Sequence, residues 1–323
     1  MEKRKLIGYT ADMTIRTKSL YRNTIQEIAQ KINMKGKLLF DEPMAQYTTL
    51  RIGGPADILA LPLSADEGEK LFAETAKSAV PVYILGEGSN LLVSDKGIRG
   101  VVLSTKNLNR VSIKGTFITA EGGASVSECA ELAAERNLGG LEFIYGMPGT
   151  VAGAVFMNAR CYGSSISDII RSVRFVNSKG VTGELRDFND FLYKSTPFQR
   201  NGSFITTAVF ALHPADGTYL REQMEQHRAD RERKGHYRFS SAGSIFKNNR
   251  EFGEPTGKII DNLGMRGLTI GGAKVSDIHG NIIINTGAAK ALDVKKLIER
   301  IEAEVKKSTG FSLEREIIFA GEW

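Results

Sequence analysis

Ile84-Leu85-Gly86-Glu87-Gly88-Ser89-Asn90-Leu91-Leu92 is the stretch on which the fold turns: an apolar run ends in a Gly-x-Gly-Ser-Asn turn and a second apolar run follows. The first run reads as a buried strand, and such a turn exposes successive backbone N–H groups that can cradle a pyrophosphate. Alone the signal is weak, because the spacing is not Gly-x-Gly-x-x-Gly and a strand ending in glycines is more often only a turn. The flanks give it a setting. Residues 57–62, 81–85 and 100–103 read as strands and a helix runs through 70–73, the β-α-β-β order of a small α/β layer. Ahead of them Ile25, Ile28, Ala29 and Ile32 recur at i, i+3, i+4, i+7, the stripe of an amphipathic helix that packs on this unit. Residues 1–18 have weak periodicity and read as an N-terminal extension.

A second glycine-rich stretch runs from Gly139 to Ala159. In it, Met147-Pro148-Gly149-Thr150 can end a turn and start a helix whose first N–H groups and positive end favour an anion, while Gly153 and Ala154 permit close packing. Two phosphate-suited turns fit one dinucleotide; a tightly packed small-residue helix is the plainer reading. Around this stretch the texture is hairpins, 111–113 with 117–119 and 174–176 with 181–182. A third segment opens with the charged helix at 218–234. It continues with strands at 268–275 and 282–285, and with a helix whose Val294, Leu297, Ile298, Ile301 and Val305 form an apolar stripe. A last strand is expected at 313–319.

The third chemical signal is Phe239-Ser240-Ser241-Ala242-Gly243-Ser244-Ile245-Phe246-Lys247-Asn248. Ser244 lacks the Gly-x-Ser-x-Gly setting and an obvious histidine and acid partner, so a nucleophilic serine is not supported. With a carboxylate elsewhere it could instead donate a proton.

Bulk properties narrow the class. The 323 residues are 41% hydrophobic and 25% charged, an ordinary globular composition long enough for two or three domains. Thirty-four glycines suggest many places where backbone approaches a ligand closely. The net charge of +6 suits an anionic ligand, but 43 basic residues are balanced by 37 acidic ones without a basic block, so nucleic-acid binding is not implied. With no signal-peptide run and no 18-residue apolar stretch, a cytoplasmic protein with no membrane partner is expected. Cys129 and Cys161 read as packing residues, and the four histidines show no metal-ligand spacing.

These blocks together resemble the UDP-N-acetylenolpyruvoylglucosamine reductase family, the flavoenzymes of peptidoglycan precursor synthesis. The likeness is collinear from about Ala45 onward. It is carried by Tyr47-Thr48-Thr49-Leu50-Arg51-Ile52-Gly53-Gly54-Pro55-Ala56, the Gly86–Asn90 turn, Gly140-Leu141-Glu142 with Met147–Thr150 and Met157-Asn158-Ala159, Ala242–Asn248, Leu268-Thr269-Ile270-Gly271-Gly272-Ala273, and Leu313-Glu314-Arg315-Glu316. It implies an α+β protein: a two-part FAD-binding domain of the vanillyl-alcohol-oxidase/PCMH type plus a C-terminal α+β substrate domain. The expected division is 19–107 and 108–215 for the FAD-binding parts and 216–312 for the substrate domain, with 313–323 a candidate to join the first part.

The resemblance also implies FAD as bound cofactor and NADPH as co-substrate, in a ping-pong cycle with UDP-N-acetylglucosamine enolpyruvate, and a monomer is expected. Hydride passes from flavin N5 to C3, and Ser244 matches the serine that protonates C2. Glu316 matches the glutamate that acts beside a cation. FAD would be held by Arg51, Gly53, Gly86, Glu87, Gly88, Ser89, Asn90, Leu91, Gly122, Ala124, Met147, Pro148, Gly149, Thr150, Gly153, Ala154 and Asn158. Tyr193, Lys234 and Asn248 match substrate-binding positions, with Lys247 adjacent. One departure touches the chemistry: the family's tyrosine-arginine pair stands here as Tyr193-Lys194. Lysine keeps the charge and loses the planar fork, which Arg160 or Arg238 could supply. Two other readings stay open, an FAD oxidoreductase with a different substrate and a catalytically impaired nucleotide-binding paralogue. The short stretch before Pro214 points to the subclass without an extra tyrosine-bearing loop.

Overall fold

Alternation along the strands of the first unit gives both sheet faces something to bury. The computed structural model describes residues 2–323, with side chains from residue 16 onward. Its first sheet has the order Lys37–Pro43, Pro55–Leu61, Ile98–Ser104, Val82–Leu85. Ile58, Ala60, Val101 and Leu103 turn toward the helices Glu2–Lys31 and Ala65–Thr75, against Ile25, Leu71 and Phe72. Ala56, Leu59 and Val102 turn to the other side, onto Met44, Leu85 and Val93. Burial of both faces is why these strands read as unbroken apolar runs. Lys37–Pro43, an edge strand with a half-exposed pattern, left no such signal.

The stripe at Ile25, Ile28 and Ile32 packs on this sheet as the sequence predicts. The helix that bears it begins at Glu2, so residues 2–18 continue it rather than form a separate extension; Met1 lies outside the described residues. A helix nucleated on a buried stripe propagates without needing apolar spacing of its own along its whole length.

Both expected hairpins lie in a five-stranded antiparallel sheet, ordered Thr182–Leu185, Ile170–Val176, Phe204–Ala211, Phe117–Glu121, Val111–Lys114. Its central strand, Phe204–Ala211, lies outside the segments the pattern singled out. The charged helix Gly217–Arg233, expected to open the third unit, instead buries Leu220 and Met224 in the second unit's core with Ala133, Ala134 and Phe143. Two apolar residues four apart make a stripe too narrow to announce its partner.

In the third unit the expected strand at 268–275 folds back at Gly271, whose φ is +54°, into Thr269–Ile270 and Ala273–Val275. These join Ile282–Asn285 and Ser240–Ser244 in a four-stranded sheet. The helix Ala291–Thr309 covers it with Val294, Leu297, Ile298, Ile301 and Val305, all fully buried. Of the last expected strand only Ile318–Ala320 is regular, and it pairs in parallel with Leu91–Val93 of the first unit. The residues before it run along the third unit: Glu316 N–H donates to Ile245 O at 2.8 Å and Lys247 N–H to Glu314 O at 2.8 Å. The C-terminal segment thus joins the first and third units directly behind the first glycine turn. No helix is long and apolar enough to cross a membrane among the described residues.

Candidate active site

The two glycine-rich turns face each other across one cavity of about 1120 Å³. Their approach is close: a Cβ on Gly86 would stand 2.7 Å from Thr150 Oγ1. Gly88 has φ +68° and its Cα lies so near the Tyr47 carbonyl that a side chain would collide with it. Among the described residues, the N–H groups of Glu87, Gly88, Ser89 and Asn90 on one turn and of Gly149 and Thr150 on the other have no acceptor. Amides left open on facing turns suit an anionic diphosphate. The helix that follows contributes less than its sequence suggests. It is only Val151–Phe156, and its first N–H groups are already used: Val151 donates to Ala124 O (2.9 Å), Ala152 to Gly122 O (2.8 Å) and Gly153 to Thr150 Oγ1 (3.2 Å). The donors available to an anion are those of the turns.

The same cavity is lined by Ser244, Glu316 and Lys194. A β-bulge between Ser241 and Ser244, with Gly243 at φ +69°, re-aims the end of that strand. Asn90 Nδ2 donates to Glu316 O at 3.0 Å, and Thr49, whose N–H is bonded to Gly88 O at 3.2 Å, donates through Oγ1 to Ser241 O at 2.7 Å, so the first turn braces one chemical segment directly and the other through Thr49. Lys194 Nζ lies 2.6 Å from Glu316 Oε1, their side chains only 15% and 13% exposed. Lys194 has φ +54°, in the left-handed region that lysine rarely adopts, and the tight turn Leu192–Ser195 imposes it.

Of the remaining expected residues, Leu91, Met147, Pro148, Gly153, Ala154, Tyr193, Lys234 and Asn248 line the cavity. Arg51, Gly53, Gly122, Ala124, Asn158 and Lys247 do not, and each has another task. Gly53 packs on Val93 and Met44. Arg51 accepts from Asn285 Nδ2 through its carbonyl at 3.5 Å. Gly122 and Ala124 supply the carbonyls that hold the start of the helix Val151–Phe156. Asn158 is buried, donates to Leu192 O at 3.0 Å and accepts from Ser167 N–H at 3.0 Å, so it positions the loop that carries Lys194. Lys247 is paired with Glu314 at 2.6 Å. Arg160 lines the cavity, whereas Arg238 lies over the Phe239 ring at 5.6 Å.

Comparison with known proteins agrees with this geometry. Residues 56–186 match the family model "FAD binding domain" and residues 235–320 the model "UDP-N-acetylenolpyruvoylglucosamine reductase, C-terminal domain". The UDP-N-acetylenolpyruvoylglucosamine reductase of Treponema denticola is 41% identical over 307 residues, 90% of this chain and 95% of that protein. That of Caldanaerobacter subterraneus is 41% identical over 294 residues, 91% and 97%. The chain belongs to this reductase family. The crystal structure of the reductase (MurB) from Thermus caldophilus superposes with a TM-score of 0.74 at 30% identity, covering 89% of this chain and 99% of that one. The architecture is the α+β one expected, an FAD-binding part followed by a substrate domain. The open amides on facing turns fit FAD, the cofactor of the reductase family.

Several residues of this reductase-family site gave no signal in sequence. Arg231, 8% exposed, lines the cavity with its Nη2 donating to Cys161 Sγ at 3.3 Å and its Nε without a partner among the described residues. It sits on the helix Gly217–Arg233 among other charged residues, and nothing in the pattern separates it from them. His236 and His279 also line the cavity, their rings 6.3 Å apart. Burial, with Arg231 nearby, pushes His236 down to about 4 from its ordinary 6.5, and burial lowers His279 as well. Both depressions mean that the unfolded chain binds more protons than the folded one just below pH 6.5. Stability should therefore fall as pH drops from about 6.5 toward 4, the reverse of a histidine that gains an acidic partner. Urea midpoints at pH 7.5, 6 and 4.5 check this; His236→Gln should flatten the slope in that window, and an unchanged slope would remove His236 as its source.

Proposed function

We propose that the chain reduces UDP-N-acetylglucosamine enolpyruvate to UDP-N-acetylmuramate with NADPH as electron source, a cytoplasmic step of peptidoglycan precursor synthesis. The observation that carries the reading is the convergence of Ser244 and the Lys194–Glu316 pair on the cavity that holds the open amides of both glycine turns. Bound FAD would supply hydride transfer to C3 of the enolpyruvyl group. The turns at Glu87–Asn90 and Gly149–Thr150 hold its diphosphate.

As C3 gains hydride, negative charge spreads over C2 and the neighbouring carboxylate, and it must be stabilised before C2 is protonated. Ser244 gives C2 its proton. A hydroxyl is a poor acid in water, so this role requires a strongly basic centre held at hydrogen-bond reach. Lys194 supplies positive charge beside that centre, and Glu316 fixes where the ammonium sits. Tyr193, Lys234 and Asn248 hold the nucleotide. Lys234 Nζ is held by Asp230 at 2.6 Å, which orients the cation along the cavity wall.

Stopped-flow absorbance tests the reading in two halves. NADPH should bleach the bound flavin, and the enolpyruvyl nucleotide should then restore its colour. Bleaching without reoxidation by that nucleotide would transfer the chain to an oxidoreductase of other specificity. No bound flavin would remove both.

A further inference from the structure

Behind Ser244 lies a second cavity of about 240 Å³, room for several waters at about 30 Å³ each. Its wall is polar, made by Ser244, Asn248, Lys258, Asp261, His279 and Asn281 among others. Ser244, Asn248 and His279 line the main cavity too, so these three form the partition between the two spaces.

The hydrogen bonds around that partition are largely committed. Asn248 Oδ1 accepts from Thr256 N–H at 2.9 Å. Asn281 grips the Phe246 backbone with both ends of its amide, at 2.9 and 2.8 Å. Asp261 accepts from Arg266 Nε at 2.7 Å. His279 Nδ1 accepts from Asn281 N–H at 3.1 Å. An Nδ1 that accepts leaves the proton of the neutral ring on Nε2, which can then only donate. Burial lowers this imidazole's affinity for a second proton, so the neutral form holds at pH 7.

Ser244 as an acid creates a need that the main cavity does not meet. While its proton leaves for C2, negative charge gathers on Oγ, and bound cofactor and substrate exclude water from that side. We infer that the small cavity is the proton inlet of Ser244 and that His279 is a positioning residue whose Nε2–H, directly or through one water, meets the charge on Oγ. This rests on the reductase reading above. The balance is simple: the Oγ–H bond breaks as C2–H forms, and Oγ takes a proton from a water of the small cavity. The hydroxide left behind is neutralised from bulk solvent beside the exposed Lys258, so one solvent proton is consumed per turnover. His279 keeps its own proton throughout.

The test compares the two half-reactions of the FAD-loaded protein in mixtures of H₂O and D₂O. In the wild type the rate of reoxidation by the enolpyruvyl nucleotide should bow with deuterium fraction, because two protons move together. His279→Phe should slow that half-reaction about 100-fold more than bleaching by NADPH, the cost of one lost donor to a developing oxyanion, and its dependence on deuterium should become linear. His279→Gln, which keeps an N–H donor, should regain most of the rate and the curvature. Flavin content and bleaching rate report whether each variant is folded. A linear dependence in the wild type, or a His279→Phe protein whose two half-reactions change in equal proportion, overturns the inference. A wild type that the nucleotide cannot reoxidise at all overturns the reductase reading instead.

Discussion

Ser244→Ala is expected to leave flavin bleaching by NADPH intact and to slow reoxidation by the enolpyruvyl nucleotide by about 10²- to 10⁴-fold, the range for loss of a positioned general acid. The asymmetry follows from position. Ser244 stands at the end of a bulged strand and is not among the open amides of the turns, and only the second half-reaction needs a proton at carbon. The substitution removes one oxygen from a half-buried site and leaves the neighbouring backbone bonds of Ile245 and Phe246 with Asn281 in place. Stability should therefore change little. Equal losses in both half-reactions, measured by stopped flow, would make the serine a structural residue.

Lys194→Ala should damage stability and chemistry together. It leaves the Glu316 carboxylate, 13% exposed, without its cation, and removing one side of a largely sheltered pair is destabilising. The alanine inherits the left-handed backbone conformation, which adds to the cost. Reoxidation by substrate should fall with the loss of positive charge, whereas bleaching by NADPH should suffer less. Lys194→Arg is the informative partner: the guanidinium can still meet Glu316 and restores the planar fork, so midpoint and second half-reaction should match or exceed wild type. Denaturant midpoints and both half-reaction rates for the two variants decide it. An arginine variant as damaged as the alanine one would mean that the ammonium group itself, not its charge, is required.

How much of this was legible beforehand depended on the range of the interaction. The apolar stripe of Ala291–Thr309 and the unbroken apolar run before Gly86 declare themselves because the residues that make each pattern lie within a few positions of one another in sequence. Ser244, Glu316 and Lys194 were found through family likeness, since no local pattern marks them. What stayed hidden was set by contacts between distant segments. That the N–H groups of residues 151–153 are already spent depends on carbonyls at 122 and 124 and on a threonine side chain. Arg231 differs from the other charged residues of its helix only in where that helix packs, beside Cys161 and Tyr162. The second cavity is bounded by residues from 244 to 281, and no spacing rule describes an enclosed space.

The pairing of Ile318–Ala320 with Leu91–Val93 has a mechanical meaning. One ribbon is fastened to Leu91–Val93 beside Asn90 and, a few residues earlier, to the Ile245 carbonyl, so this wall of the cleft is shared by two domains. Through Glu316 the same ribbon also grips Lys194, so one C-terminal segment ties all three units together around the cavity.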